Sequence, residues 1–99
     1  MLRNKGDIVK IKTAIINNKE KVVFSDYDGD FQFKYFEIAA RTKWHPDLPH
    51  YYIILIEDHM IGWTISKLHV QNNDVDEAHV GRKFYEISEE FVVKDAINR

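Results

Sequence analysis

The sequence has no cysteine, only two prolines and only four glycines. Without thiols there is no disulfide framework, thiolate zinc site, iron–sulfur cluster or cysteine nucleophile. Gly6, Gly29, Gly62 and Gly81 lie too far apart for a loop that cradles phosphate. The longest apolar run, Tyr51 to Ile56, has six residues. A spanning helix needs ~20. The basic opening, Met1 to Asp7, lacks a following apolar segment, so no signal peptide is expected. None of Ser25, Ser66 and Ser88 sits in a strand–turn–helix elbow. The paired carboxylates Asp74/Asp76 and Glu89/Glu90 fall in polar stretches that offer nothing to tune a general acid. These absences predict a cytoplasmic protein that is not an enzyme and needs no cofactor or metal.

What is present suits a small folded domain. Ninety-nine residues make one domain, and a chain of that length buries roughly 60–70% of its unfolded surface. Thirteen aromatic residues argue against disorder. The net charge of −2 is unevenly spread. Residues 1–24 carry six Lys/Arg against two acids, and residues 71–99 carry seven acids against four bases. Lys and Ile are abundant and Ala and Arg scarce, which fits an A+T-rich gene of the kind many low-GC bacteria and their phages carry.

The apolar residues recur mostly with a period of two, the mark of half-buried strands. Asp7 to Ile16 alternates, with Val9, Ile11 and Ile15 on one face and Lys10 and Lys12 on the other. Asn17 to Lys19 reads as a turn, and Lys21 to Ser25 as a second strand. Asp26 to Asp30 reads as a turn built on Asp-Gly, followed by a third strand through Phe31, Phe33 and Tyr35 that pairs with the second. Glu37 to Arg41 is either that strand's end or a helical turn. Tyr51 to Glu57 is apolar nearly throughout, as in a strand covered on both faces. Ile61, Trp63 and Ile65 give its return strand, with Trp63 in the core, and Ser66 to Val70 a helical turn presenting Leu68. Lys83 to Ile87 is a further strand, and Ser88 to Ile97 either a short helix or a strand. The core is expected within residues 5–70, with 71–99 a polar loop and C-terminal extension.

Lys5-Gly6-Asp7-Ile8-Val9-Lys10-Ile11 resembles the first strand of SH3-like small barrels, KOW-type modules included. Tyr52, then Gly62-Trp63-x-Ile65 with Leu68 and Val70, resembles the closing hairpin and turn of that class. The resemblance implies a mainly β protein, an SH3-like barrel or a strongly bent antiparallel sheet. Such barrels bind proteins, RNA or DNA, and the fold alone does not fix which.

Three constellations invite a chemical reading. Asp26, Asp28, Asp30 and Glu37 have the spacing of a calcium loop. The position that needs glycine is Phe31, and the flanks are β-branched and aromatic, so a solvated turn is the simpler reading. His45 and His50 bracket Asp47 in the proline loop, a trio too irregular to define a zinc site. The same loop holds Arg41, Lys43, Trp44, His45, Leu48 and His50. Aromatics and arginine dominate binding hot spots, and prolines lower the cost of ordering a loop. Alternatively, Trp44 and Leu48 fold back and plug one end of the barrel.

The leading expectation is therefore a protein-binding module, such as a small phage or bacterial regulator that occupies a partner's surface through the Trp44 loop. The alternative is a nucleic-acid-binding barrel that uses Lys10, Lys12, Lys34 and Tyr35, with Phe31 and Phe33 nearby. Either a monomer or a homodimer is compatible with the sequence.

Overall fold

A computed structural model of the chain describes residues 3–42 and 50–94. It is mainly β: a strongly curled antiparallel sheet forms a half-barrel, with one short helix. The first strand, β1 (Ile8–Ile16), buries Val9, Ile11 and Thr13 and turns Lys10 and Lys12 outward. Ile15 was expected inside but is 61% exposed. Pairing with β3 has ended by then, at Thr13–Gln32, so nothing packs over it. The turn at Asn17 and Asn18 holds both residues at positive φ, 54° and 67°. Asparagine tolerates that conformation, which matches the right-handed twist of a two-residue hairpin. The return strand β2 (Lys19–Val22) follows at once, earlier than the sequence suggested.

β3 (Gln32–Arg41) does not pair with β2; it lies on the other flank of β1. The expected β2–β3 hairpin fails because Asp26 to Asp30 is no tight turn. It is part of a crossing that carries the chain from one side of β1 to the other. Gly29 does not take a positive φ there. Its missing side chain instead makes room for the Tyr27 ring lying against it. Lys12 holds the crossing, donating from Nζ to the carbonyl oxygens of Ser25 at 3.1 Å and Tyr27 at 3.4 Å. At its far end β3 runs as strand to Arg41, with a bulge at Ala39, and pairs with β4 (Tyr51–Leu55).

A second correction concerns the return from β4. β5 (Trp63–Thr64) pairs with β6 (Lys83–Ser88), and β6 lies between it and β4. Gly62 is required there, because a Cβ would come 2.5 Å from the Phe84 carbonyl oxygen. Trp63, expected in the core, is 60% exposed on the sheet edge, stacked on Tyr85. Only Ile65 of that run enters the core. The chain turns there into α1 (Lys67–Asn73), which Ser66 and His69 cap reciprocally. Leu68 is exposed on α1, as expected. Residues 71–99 are more than an extension: Asn73 and Val75 are buried and β6 is internal to the sheet. After β6 a three-residue 3-10 turn, Glu89–Phe91, leads into β7 (Val92–Val93), which pairs with Lys10 and Ile11 of β1. The C-terminal segment is thus a strand at 92–93, and residues 95–99 lie outside the described part.

The sheet has two apolar faces. The concave one gathers Val9, Ile11, Phe36, Ile38, Ile54 and Ile87. The convex one gathers Ala39, Ile53, Leu55 and Phe84 with Ile65 and Val75 from the segment around α1. β4 contributes to both, so Tyr52 to Ile56 are buried without interruption, as the sequence implied. No helix among the described residues is long and apolar enough to cross a membrane.

Replacing Ile54, fully buried on the concave face, should cost about 3 kcal/mol as Ile54→Ala, through lost burial and an unfilled cavity. Trp63→Ala should cost about 1 kcal/mol, because it removes ring contacts with Tyr85 and Phe84 from an exposed edge position. Urea denaturation of both variants checks the contrast. A larger loss at Trp63 than at Ile54 would contradict the assignment of the core.

Candidate ligand-binding face

The convex face is covered over only part of its width. Ile65, Val75 and α1 lie over the β3-end, β4 and β6 side. The β1 and β3 side carries rings and lysines. The register sets Lys12 opposite Phe33 and Lys10 opposite Tyr35. Directly opposed residues of an antiparallel pair share a face. Lys10 Nζ lies 5.2 Å from the Phe33 ring centre, and Lys12 Nζ lies 4.3 Å from that of Phe31. Phe31 and Phe33 meet edge to face at 5.5 Å. Phe31, Phe33 and Tyr35 are 47%, 45% and 64% exposed. In β2, Lys21 lies opposite Ala14 and adds to the same face, whereas Lys19 lines a separate depression with His59, Met60 and Lys83. Lys10, Lys12, Lys21 and three rings therefore share one surface. Asp30 and Glu37 bracket it at either end.

Two depressions flank this strip. One, of about 270 Å³, lies between the crossing and β7, lined chiefly by Phe31, Phe33, Phe91 and Val93, with Lys12 and Glu90 among its polar groups. Phe24 packs on one of these residues, its ring 4.6 Å from that of Phe91. The other, of about 560 Å³, lies beyond Tyr35 and is lined by Glu37, Leu55, Glu57, Asp58 and Arg82 among others.

The residues singled out in the sequence are distributed unevenly about this face. Lys10, Lys12 and Tyr35 are brought together on it. Lys34 is not: it opposes Ile11 on the concave side. Its ammonium donates to Glu20 at 2.9 Å and Glu57 at 3.1 Å. Arg41 is exposed at the opposite end of β3 from Phe33. His50 is partly buried, and its carbonyl oxygen accepts from the Glu89 amide at 2.7 Å. Lys43, Trp44, His45 and Leu48 lie outside the described residues, as does Asp47. The carboxylates of Asp26, Asp28, Asp30 and Glu37 do not converge; Glu37 projects from mid-strand in β3.

No local pattern announces the cluster around Glu20. Its carboxylate is buried and accepts from Thr13 at 3.2 Å, Gln32 at 3.3 Å and Lys34. His59 Nε2 lies 2.7 Å from it. Burial alone would raise this carboxyl. The hydrogen bonds with His59, Lys34 and Thr13 and the Lys34 charge outweigh burial and bring its pKa down to about 2. Among the described residues, Glu20, Glu57 and His59 are the only acid or histidine group close enough to share a metal. The Lys34 ammonium already sits between the two carboxylates, and the arrangement is that of an ion-pair network.

A scan against protein-family models, a search of curated proteins and a search of solved structures each found no match.

Because the folded pKa of Glu20 is depressed, its contribution to stability is complete above the ordinary carboxylate range. It is lost as pH falls from about 4.5 toward about 2. Glu20→Gln should lower stability near neutral pH by about 2 kcal/mol, leaving Lys34 without its buried partner. The gap from the parent protein should close as pH approaches 2. Thermal melts of both proteins between pH 2 and 6 measure it, and a gap independent of pH would remove Glu20 from this role.

Proposed function

We propose that the protein is a non-catalytic binding module that works through the ring-and-lysine face of β1 and β3, and that the ligand suiting this face best is single-stranded nucleic acid. The observation that carries the reading is the β1–β3 register, which seats Lys10 and Lys12 directly beside Phe33 and Tyr35 on exposed sheet. Bases stack on exposed rings regardless of sequence, and lysines neutralise the phosphates between them. Lys10 has no carboxylate partner among the described residues, so its charge is available to a phosphate. The overall net charge of −2 does not oppose this, because residues 1–24, which supply β1 and β2, carry six Lys/Arg against two acids. The half-barrel is compatible with an SH3-like barrel, and small barrels of that kind bind proteins or nucleic acids.

A specific feature favours a second reading, in which the protein regulates another protein by covering its surface. The apolar depression beside Phe31 and Phe91 could seat a hydrophobic anchor residue. Arg41, exposed at the far end of β3, would then belong to a second contact.

Fluorescence anisotropy with random single-stranded DNA and RNA at low salt tests the first reading. Binding should weaken steeply with salt. Tyr35→Ala should weaken it roughly tenfold by removing one stacking ring. Lys10→Gln should reduce the slope of log affinity against log salt by about one. Absence of binding to either strand, together with a protein retained from lysate after nuclease treatment, would favour the second reading.

A further inference from the structure

The depression beside the strip is continuous with it, since Phe31 and Phe33 line both. We propose that it is a base pocket: one nucleotide of a strand lying along the strip turns its base in between Phe31, Phe33, Phe91 and Val93, and Glu90 selects a base that carries an exocyclic amino group. The inference rests on the nucleic-acid reading above and deepens it.

Shape and chemistry both support this occupant. The walls are apolar and aromatic, and a volume of about 270 Å³ admits one planar ring system. The Phe24 ring packs against Phe91 at 4.6 Å, which restrains that wall of the pocket. Lys12 lines the same pocket, with its ammonium over the Phe31 ring. That ammonium also donates to the Ser25 and Tyr27 carbonyl oxygens, which leaves one N–H for the phosphate of an inserted nucleotide, and Lys10 is the next lysine along the strand face. This charge pattern suits an anionic backbone carrying an apolar ring.

Glu90 is the acid among the lining residues. A carboxylate has acceptors and no donor. It can accept from the exocyclic amino group of cytosine, adenine or guanine, whereas thymine and uracil offer it only a ring N3–H flanked by two carbonyl oxygens that repel it. Ser88 Oγ donates to Glu90 Oε1 at 3.4 Å, and the Glu90 amide donates back to Ser88 Oγ at 3.4 Å. These bonds favour one placement of the side chain while leaving its other oxygen for a ligand.

The test uses the full chain and two ten-nucleotide DNA strands, one all thymidine and one with a single central deoxycytidine. The deoxycytidine strand is expected to bind about fivefold to tenfold tighter, in line with one well-formed base contact. Glu90→Gln, which conserves shape, should erase most of that preference while the thymidine strand still binds. Phe91→Ala should weaken the deoxycytidine strand more than the thymidine strand, and thermal melts establish whether that variant folds. Equal affinity of the parent protein for both strands would overturn the pocket and leave the strip as the binding face. A preference that survives Glu90→Gln would also overturn Glu90 as the selecting residue. Failure of both strands to bind at low salt would overturn the nucleic-acid reading and the pocket with it.

Discussion

Strand β1 is shared more widely than any other part of the sheet, and the rest of the molecule is arranged around that sharing. Along one flank it pairs with β3 from Ile8 to Thr13. Along the other it pairs first with β7, at Lys10 and Ile11, and then with β2, from Thr13 to Ile16. One flank thus serves two partners from opposite ends of the chain. The sheet must curl for β7 to reach β1, and the 3-10 turn at Glu89–Phe91 supplies the bend. Arg3 fastens that turn to the N-terminal segment, donating to the Glu89 carboxylate from Nε at 3.0 Å, and Tyr52 adds its hydroxyl at 2.8 Å. Burial raises the Glu89 carboxyl, and these two hydrogen bonds, with the Arg3 charge, bring it below the usual range.

The curl also explains why one face of the sheet is used in two ways. Where β3 passes its bulge and meets β4 and β6, the convex side is dry and sits under the α1 segment. Before the bulge the same side is wet and bears rings and lysines. A strand that begins as surface and ends as core has to change character along its length. β3 does so, from Gln32, Phe33 and Tyr35 at one end to Ile38, Ala39 and Ala40 at the other.

Much of this was legible in the sequence because it is local. The alternation in residues 8–13, the unbroken apolar run of β4 and the strand at 83–88 each declare themselves over a few residues. Strand order was not legible. Reading the chain in sequence pairs neighbours, whereas β1 separates β2 from β3, and β6 separates β4 from β5. Alternation shows which side Trp63 faces, and only the assembled sheet shows that this side is the edge. The lysine face was partly readable. Alternation sets Lys10 and Lys12 on one side of β1, and the register adds Tyr35 and Phe33 beside them. Lys34 could have been excluded from parity alone, because it lies between Phe33 and Tyr35 and so points the other way. The cluster that holds Lys34 left no local trace, since Glu20 stands 14 residues from Lys34 and 39 from His59.

That separation has a kinetic consequence. The β1–β2 hairpin has a well-formed two-residue turn and close-range pairing, so it is the element best able to form by itself. Its inner face nevertheless carries Glu20, whose charge stays in water until Lys34 and His59 arrive from later strands. Drying that face early would strand an uncompensated carboxylate. The hairpin therefore docks only when β3 and the turn after β4 are in place, and assembly of the sheet becomes a single cooperative event whose rate is set by long-range closure.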